Sequence, residues 1–235
     1  GGLLLSPELC QLLAYWNELG GANALPERSQ LDLRQLTPIL PWMFILEMSP
    51  DGSLRYRLAG SSLEEGVGCG MAGKTYADIF HDHEQASVME ELYATSLVQG
   101  SGLVRTGAFS LDQTETFELE VLALPFADTR AMAGTVLVGV VRPFDVLNQG
   151  FLDRWGRFQH DLTTLMVVPS PRVVTSGQLS DRVNATLELI GVELRALDVP
   201  KVLDLYRQGM GKLPGQDIPS FELEALSGSQ ENSLN

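Results

Sequence analysis

Cysteine, histidine and long apolar runs are all scarce in this sequence. Its 235 residues include only two cysteines, Cys10 and Cys69, and three histidines. The cysteines form neither a CxxC motif nor a Cys/His spacing, so no disulfide framework or zinc site is indicated and a reduced, cytoplasmic setting is expected. The longest apolar run, Thr135 to Val141, is far shorter than the ~18 residues that a membrane-spanning helix needs. Leu3 to Leu5 is likewise too short for a signal-peptide core, so neither a membrane-spanning nor an exported protein is predicted.

Basic residues are also few relative to acidic ones. Lys and Arg number 16 against 30 Asp and Glu, which gives a formal net charge of −14. The imbalance lies in residues 1–150, where 19 acidic and 8 basic side chains give −11, whereas residues 151–235 hold 11 and 8 and give −3. An acidic surface repels phosphate groups, so binding to nucleic acid or to an anionic membrane is not expected. The partners that remain are another protein, a second copy of the chain (a homodimer) and a small ligand.

Two common motifs of hydrolytic enzymes are absent from the sequence. There is no Gly-x-Ser-x-Gly and no His-Glu-x-x-His segment. Dinucleotide binding requires such glycines to follow a strand and to begin a helix, and the glycines between Gly66 and Gly70 are not in that setting. No catalytic residue is predicted, and an enzyme of unrecognised type is kept only as an alternative.

One organised pattern runs from Trp42 to Asp145. Apolar residues at every second position over residues 42–48 and 54–58 predict two strands, and the Asp51-Gly52 pair between them is typical of a hairpin turn. A glycine-rich region with short helices follows, then a long helix that Asp82 begins as N-cap. Further strands are predicted over Leu103 to Ser110, Thr116 to Leu124 and Met132 to Arg142. The expected fold is therefore α+β, with a five-stranded antiparallel sheet, short helices and one long helix.

Four short segments carry a resemblance to a known family. They are Leu36-Thr37-Pro38-Ile39-Leu40-Pro41-Trp42, Phe44 to Met48, Arg55-Tyr56-Arg57-Leu58-Ala59-Gly60-Ser61 and Ala72-Gly73-Lys74-Thr75. Over residues 30–145 the sequence resembles the PAS-like family found as small stand-alone proteins in alphaproteobacteria, part of the PAS domain superfamily. The second-strand segment is the most specific match, although Ser61 stands where threonine is usual. The resemblance implies a PAS fold and a cytoplasmic sensory or interaction module without catalytic residues, and it leaves the ligand unassigned.

Two cofactors that occur in PAS domains are disfavoured by these residues. Flavin-binding light sensors resemble one another in an Asn-Cys-Arg-Phe motif, whereas Gly73 is followed here by Lys74-Thr75-Tyr76 and Cys69 comes earlier. Haem needs an inward histidine with a hydrogen-bonded partner, but His81 and His83 flank the predicted helix cap and are expected to face water. These histidines have no third ligand at a recognisable spacing, so no metal is predicted.

A ligand cavity between the sheet and the helices is one interpretation, because PAS sheets curl over short helices and leave room for a small apolar molecule. The side chains expected to line it are Phe44, Leu46, Tyr56, Leu58, Phe117, Leu119 and, from the long helix, Tyr93. Tyr56 is the best polar contact for a ligand, since a buried phenol needs a partner. The other interpretation, which is preferred, is a filled core in which Tyr56 bonds to the protein. The chain would then be a pure protein-interaction adaptor.

Amphipathic helices are predicted on both sides of this region. Ser6 and Pro7 occupy the N-cap and first position of the N-terminal one, and Pro200 is expected to end the C-terminal one. The apolar positions that form a candidate partner or dimer surface are Leu9, Leu12, Leu13 and Trp16 in the first helix, and Val183, Leu187, Ile190, Leu194 and Leu197 in the second. For the first helix, packing on its own domain is the favoured interpretation and a dimer contact is the alternative.

These elements divide the chain into four parts. Residues 1–29 form an N-terminal helix and linker, 30–148 the PAS-like sensor domain, 149–211 a C-terminal helical extension and 212–235 a disordered acidic tail. The predicted function is a cytoplasmic sensory or regulatory module that binds a small apolar ligand or a protein partner. Its flanking helices are expected to transmit the signal.

Overall fold

Helices pack on both faces of a single sheet. The structure, a computed structural model, describes residues 5–21, 23–79, 83–111, 115–143, 158–160, 164–170 and 181–210. The strands in these ranges are β1 (Met43–Met48), β2 (Leu54–Ala59), β3 (Gly102–Leu111), β4 (Glu115–Ala127), β5 (Thr135–Val141), β6 (Phe158–His160), β7 (Thr164–Val168) and β8 (Leu194–Ala196). The α-helices are α1 (Pro7–Glu18), α2 (Ser61–Val67), α3 (His83–Gln99), α4 (Asp181–Leu189) and α5 (Val199–Leu205). Short 3₁₀ turns cover Arg28–Gln30, Leu33–Leu36, Leu40–Trp42 and Ala77–Ile79.

The predicted five-stranded sheet is present as part of a larger one. Strands β1 to β5 lie in the order β2-β1-β5-β4-β3, and every neighbouring pair is antiparallel. The prediction is incomplete beyond β3, because β6 and β7 pair with β3 and β8 pairs parallel to β7, which makes the sheet mixed. These added strands are three to five residues long and find partners far away in the sequence. Local periodicity carries little information about such pairings.

A bulge in the first hairpin reverses part of the predicted alternation. Leu46 lies opposite Tyr56 while the preceding residue, Ile45, lies opposite Leu58, so Arg57 is an extra residue in β2. Such a bulge moves the following side chains to the other face of the sheet. The prediction that Leu58 lines the cavity with Tyr56 is therefore wrong. Leu58 is 40% exposed, whereas Tyr56 is buried.

The N-terminal helix α1 is part of the domain core. The four apolar residues predicted as a partner surface, Leu9, Leu12, Leu13 and Trp16, are completely buried within the chain, in a core that includes β4 and β5. The indole Nε1 of Trp16 also donates a hydrogen bond of 2.9 Å to the carbonyl oxygen of Pro125. The structure thus places these residues in intramolecular packing, which is the interpretation favoured for this helix, and not in a partner surface.

The C-terminal apolar stripe is divided between a helix and a strand. Helix α4 ends at Leu189, Gly191 follows with φ of 72°, and β8 begins at Leu194, so the helix predicted through Leu197 is wrong. A positive φ is unfavourable for residues other than glycine and ends the helical run. Pro200, expected to end a helix, instead lies in the first turn of α5, where its missing N–H costs nothing.

The residues of this stripe consequently have different environments. Leu187 and Leu197 are buried, Leu194 is half-buried, and Ile190 is 47% exposed. The side chain of Val183 lies outside the described residues, as do the predicted cap at Asp82 and the predicted tail. These five positions therefore do not form one continuous partner surface.

Two hydrophobic cores lie on opposite faces of the sheet. The first core, on the side of α2 and α3, includes Tyr56, Tyr76 and Tyr93, together with Leu165 of β7 and Leu187 of α4. The second core, on the side of α1 and α5, includes residues of β4, β5 and β7. The segment after residue 163 thus contributes side chains to both cores. None of the helices in the described ranges has the length and apolarity needed to cross a membrane.

Candidate functional site

A basic side chain is buried in the first core. Arg105 lies on β3 and is 4% exposed. Because strand residues alternate between faces, Arg105 shares the α3-facing side of the sheet with Leu103, while Val104 packs in the second core. A buried guanidinium is costly unless its N–H groups are hydrogen-bonded. The contacts of Arg105 therefore define the most unusual polar environment in this core.

Two tyrosine hydroxyls accept hydrogen bonds from Arg105. Its Nε donates to Oη of Tyr93 at 2.7 Å, and its Nη2 donates to Oη of Tyr76 at 3.2 Å. The guanidinium carbon also lies 5.7 Å from the centroid of the Tyr93 ring, within the range of a cation–π interaction. Burial by itself lowers the pKa of Arg105, but the phenol oxygens of Tyr76 and Tyr93 raise it, and the net shift is upward. The guanidinium therefore remains a cation in the core.

Tyr56 extends this group of side chains toward β1. Its ring stacks on that of Tyr76, with 6.0 Å between centroids, and meets the ring of Phe44 edge-on at 6.0 Å. Tyr56 is 5% exposed. Burial raises its pKa well above the ordinary value, so the hydroxyl stays protonated. Tyr56, Tyr76, Tyr93 and Arg105 are called the tyrosine–arginine cluster below.

Three separate parts of the chain build this cluster. Backbone hydrogen bonds of 2.7 to 3.0 Å join residues 73–76 to the outer edge of β2, which sets Tyr76 beside Tyr56. Tyr93 comes from α3, whose buried residues pack against the sheet, and Arg105 comes from β3. The pKa of Tyr76 is raised by burial, as that of Tyr56 is, so these phenols do not exchange protons near neutral pH. The cluster is suited to donating hydrogen bonds rather than to acid–base catalysis.

The segment from Gly68 to Thr75 matches the Gly-x-x-x-x-Gly-Lys-Ser/Thr pattern of phosphate-binding loops. A phosphate-binding loop follows a strand and begins a helix, whereas this segment follows α2 and its end pairs with β2. The carboxylate of Glu64 accepts hydrogen bonds from the N–H groups of Met71 and Ala72, at 2.7 and 3.4 Å. Since a side-chain carboxylate already binds the amides that would face a phosphate, this segment is not assigned to phosphate binding.

Most of the predicted cavity residues share one core, but two cluster members were missed. Phe44, Leu46, Tyr56, Tyr93 and Leu119 all lie in the first core. The side chain of Phe117 lies outside the described residues. The sequence could have indicated that Arg105 is a buried polar residue, because it stands at an inward position of an otherwise apolar strand. No sequence pattern could have indicated Tyr76, since residues 73–76 join β2 only through tertiary pairing.

The cysteines and histidines add no second site in the described part of the chain. Cys10 is buried, and burial raises the pKa of its thiol to about 12, so it is unreactive. Cys69 is partly buried beside the first core. His81 and the side chain of His83 lie outside the described residues, so the prediction about haem stays a prediction. Within the ranges described, no group of three or more His, Cys, Asp or Glu could hold a metal ion.

Comparison with known families agrees with the strand order and with the resemblance seen in the sequence. A family model described as a PAS domain matches residues 5–141, which is more than half of the chain and includes α1. No curated protein matches the sequence. The chain therefore belongs to the PAS domain family, whose members are in general sensory or regulatory modules and usually not enzymes.

Proposed function

We propose that this protein is a cytoplasmic sensory module that binds a small molecule with an apolar body at the tyrosine–arginine cluster. The observation that carries the proposal is the tyrosine–arginine cluster itself, a guanidinium and three phenols placed in an otherwise apolar core. Polar groups set among apolar side chains can orient a ligand whose apolar body packs against those side chains. The surrounding side chains are apolar, as is usual for a small-molecule site. Two free cysteines support a reducing, cytoplasmic setting.

The proposed output is the C-terminal segment from β7 to α5. Arg105 lies directly opposite Leu165 of β7, and Leu165 shares the first core with Leu187 of α4. The same segment continues into α5, which packs near α1 on the other face of the sheet. A ligand that binds more tightly when Arg105 is in one position would also favour the packing of β7 and α4 that goes with that position. The difference in ligand affinity between the two packings would shift the protein toward one of them. The alternative, an adaptor with a filled core, has no such coupling.

Native mass spectrometry of freshly purified protein tests the ligand proposal. We expect a small bound species that is released on unfolding, and its removal should speed amide hydrogen exchange in β7 and α4 by at least about threefold, since ordering by a ligand slows local opening. The Tyr56→Phe variant should retain less of the species. A bare protein mass, together with no thermal shift across a metabolite panel, would support the filled-core adaptor instead.

A second candidate function is self-association through the end of α4. Leu189 and Ile190 are 86% and 47% exposed and adjacent, although large apolar side chains are usually covered. We expect the Leu189→Ser, Ile190→Ser double variant to sediment as a monomer at concentrations where the wild-type chain forms dimers, with unchanged circular dichroism. Leu187→Ser is the matched comparison, because Leu187 is buried and its loss should lower stability instead. A wild-type chain that sediments as a monomer throughout rules out this candidate.

A further inference from the structure

Three arginines surround one buried carboxylate outside the tyrosine–arginine cluster. Asp128 follows β4 and is 4% exposed, and its Oδ2 accepts a hydrogen bond of 3.2 Å from Nη1 of Arg57. Nε of Arg130 and Nε of Arg28 lie 3.6 and 3.9 Å from its oxygens, in ion pairs. These four residues and Glu47, whose carboxylate accepts a hydrogen bond of 3.3 Å from Arg57, are called the Asp128 patch below. We infer that this patch binds an acidic segment of a partner protein, an interaction that does not depend on the proposed ligand site.

Backbone structure, and not only the ion pairs, holds these arginines together. Arg28 begins a 3₁₀ turn, and a hydrogen bond of 2.8 Å from the N–H of Ala127 to the carbonyl of Pro26 joins that region to the end of β4. Arg57 is the extra residue of the β2 bulge, and a bulge redirects a side chain. Arg130 lies in the turn between β4 and β5. Because like charges repel at short range, a fold that gathers three guanidiniums favours an anion beside them.

The carboxylates of the patch neither balance its charge nor satisfy all of its donors. The patch holds three guanidiniums and two carboxylates. Burial by itself raises the pKa of Asp128, but the N–H of Arg130 and the three guanidiniums lower it and the net shift is downward, so this carboxylate is charged at neutral pH. The neighbouring Glu27 caps its own turn, where its carboxylate accepts the N–H of Gln30. Nε of Arg28 is buried without a hydrogen-bond partner. Three of the eight basic side chains in the first 150 residues thus meet at one place on an otherwise acidic chain.

Exposed apolar side chains flank the patch. Leu58 follows Arg57 directly and is 40% exposed. Met132 lies two residues after Arg130 and is 58% exposed. Arginine and methionine are enriched at protein–protein interfaces. A peptide can place separate carboxylates against different guanidiniums and an apolar side chain against Leu58 or Met132. A phosphate group, by contrast, concentrates a charge of about −1.5 to −2 at one point, beside the carboxylates that the patch already contains. The partner that fits is therefore a protein segment in which acidic and apolar residues are mixed.

Fluorescence anisotropy of the full chain with two labelled peptides, Glu-Glu-Leu-Glu-Glu and Gln-Gln-Leu-Gln-Gln, tests the inference, because these peptides differ only in charge. We expect the acidic peptide to bind at least about tenfold more tightly than the amide peptide, since its carboxylates complement the arginines. The net charge of −14 would repel this peptide if no basic site attracted it locally. Raising the salt concentration from about 20 mM to about 300 mM should weaken its binding at least about threefold, as salt screens exposed charges.

Arg130→Glu should weaken binding of the acidic peptide at least about fivefold. The Arg130 side chain is 73% exposed, so this variant should keep its fold, which circular dichroism checks. Arg34→Glu is the matched control, because it changes the charge equally, is 91% exposed and pairs with Asp32 outside the patch. Its binding should stay within about twofold of the wild type. Equal losses in the two variants, or equal binding of the two peptides, overturn the inference. Binding of phosphatidylglycerol vesicles without binding of the acidic peptide also overturns it, in favour of a lipid surface. The ligand proposal stands or falls separately, by the native mass.

Discussion

Replacing Trp16 by alanine is expected to lower the free energy of unfolding by about 4 kcal/mol, the usual range for removing a fully buried tryptophan. Trp16 is completely buried between α1 and the sheet, and its indole N–H bonds to the carbonyl of Pro125. The variant loses both the apolar contacts and this hydrogen bond, so α1 should no longer hold its place on the sheet. Urea denaturation followed by circular dichroism measures the change.

Two further variants separate the causes of this loss. Trp16→Phe keeps most of the apolar contact but leaves the Pro125 carbonyl without its donor, so an intermediate loss of about 1–3 kcal/mol is expected. Leu33→Ala removes a leucine that is 41% exposed and should change stability by less than about 0.5 kcal/mol. If Trp16→Ala leaves stability unchanged and only reduces self-association, α1 is a partner surface and the packing described above is wrong.

Replacing Gly139 by alanine is expected to destabilise the protein by about 3 kcal/mol, because added volume in a packed core forces its neighbours to move. Gly139 lies in β5 opposite Phe44 of β1. A Cβ at this position would lie 2.1 Å from Cζ of the Phe44 ring, which is far inside van der Waals contact. The ring would have to move toward Tyr56, whose ring it meets edge-on. Thermal and urea unfolding should both report the loss.

A double-mutant cycle assigns this effect to one contact. Phe44→Leu creates space above Gly139, so the double variant should be more stable than the sum of the single changes predicts, by at least about 1 kcal/mol. Gly70→Ala is the matched control, since a Cβ there would meet no atom within 4 Å. Additive effects would mean that Phe44 does not lie over Gly139. Phe44 would then also be misplaced with respect to the tyrosine–arginine cluster.

Local sequence patterns were sufficient to predict the structural elements whose formation depends on neighbouring residues. The hairpin of β1 and β2 forms around the Asp51-Gly52 turn, and Pro7 begins α1 as predicted. Both features follow from backbone preferences that act over a few residues. Even so, the predicted capping role of Ser6 differs in detail. Its side chain makes no cap hydrogen bond, and its N–H donates instead to the carboxylate of Glu120, on the distant strand β4.

The errors arose where a pattern had two structural interpretations. The apolar spacing from Leu187 to Leu197 fits a helix, but it also fits a helix that ends near Gly191 and a strand that pairs with β7. Strict alternation placed Leu58 inward, but a single bulged residue at Arg57 moved it outward. In both cases a contact with a distant strand determines the outcome, and such contacts leave no periodicity in the segment itself.

The amino-acid sequence by itself determined the PAS strand series from Met43 to Val141, the long helix, and the inward positions of Tyr56 and Tyr93, because alternation and turn chemistry are local properties. Only the tertiary structure decided that α1 belongs to the core, that β7 and β8 extend the sheet, and that Arg105 hydrogen-bonds to Tyr76 and Tyr93. The buried cation can be recognised as part of a candidate site only once side chains from β2, β3, α3 and residues 73–76 are seen to lie together. That arrangement depends on long-range pairing and packing, which no short segment encodes.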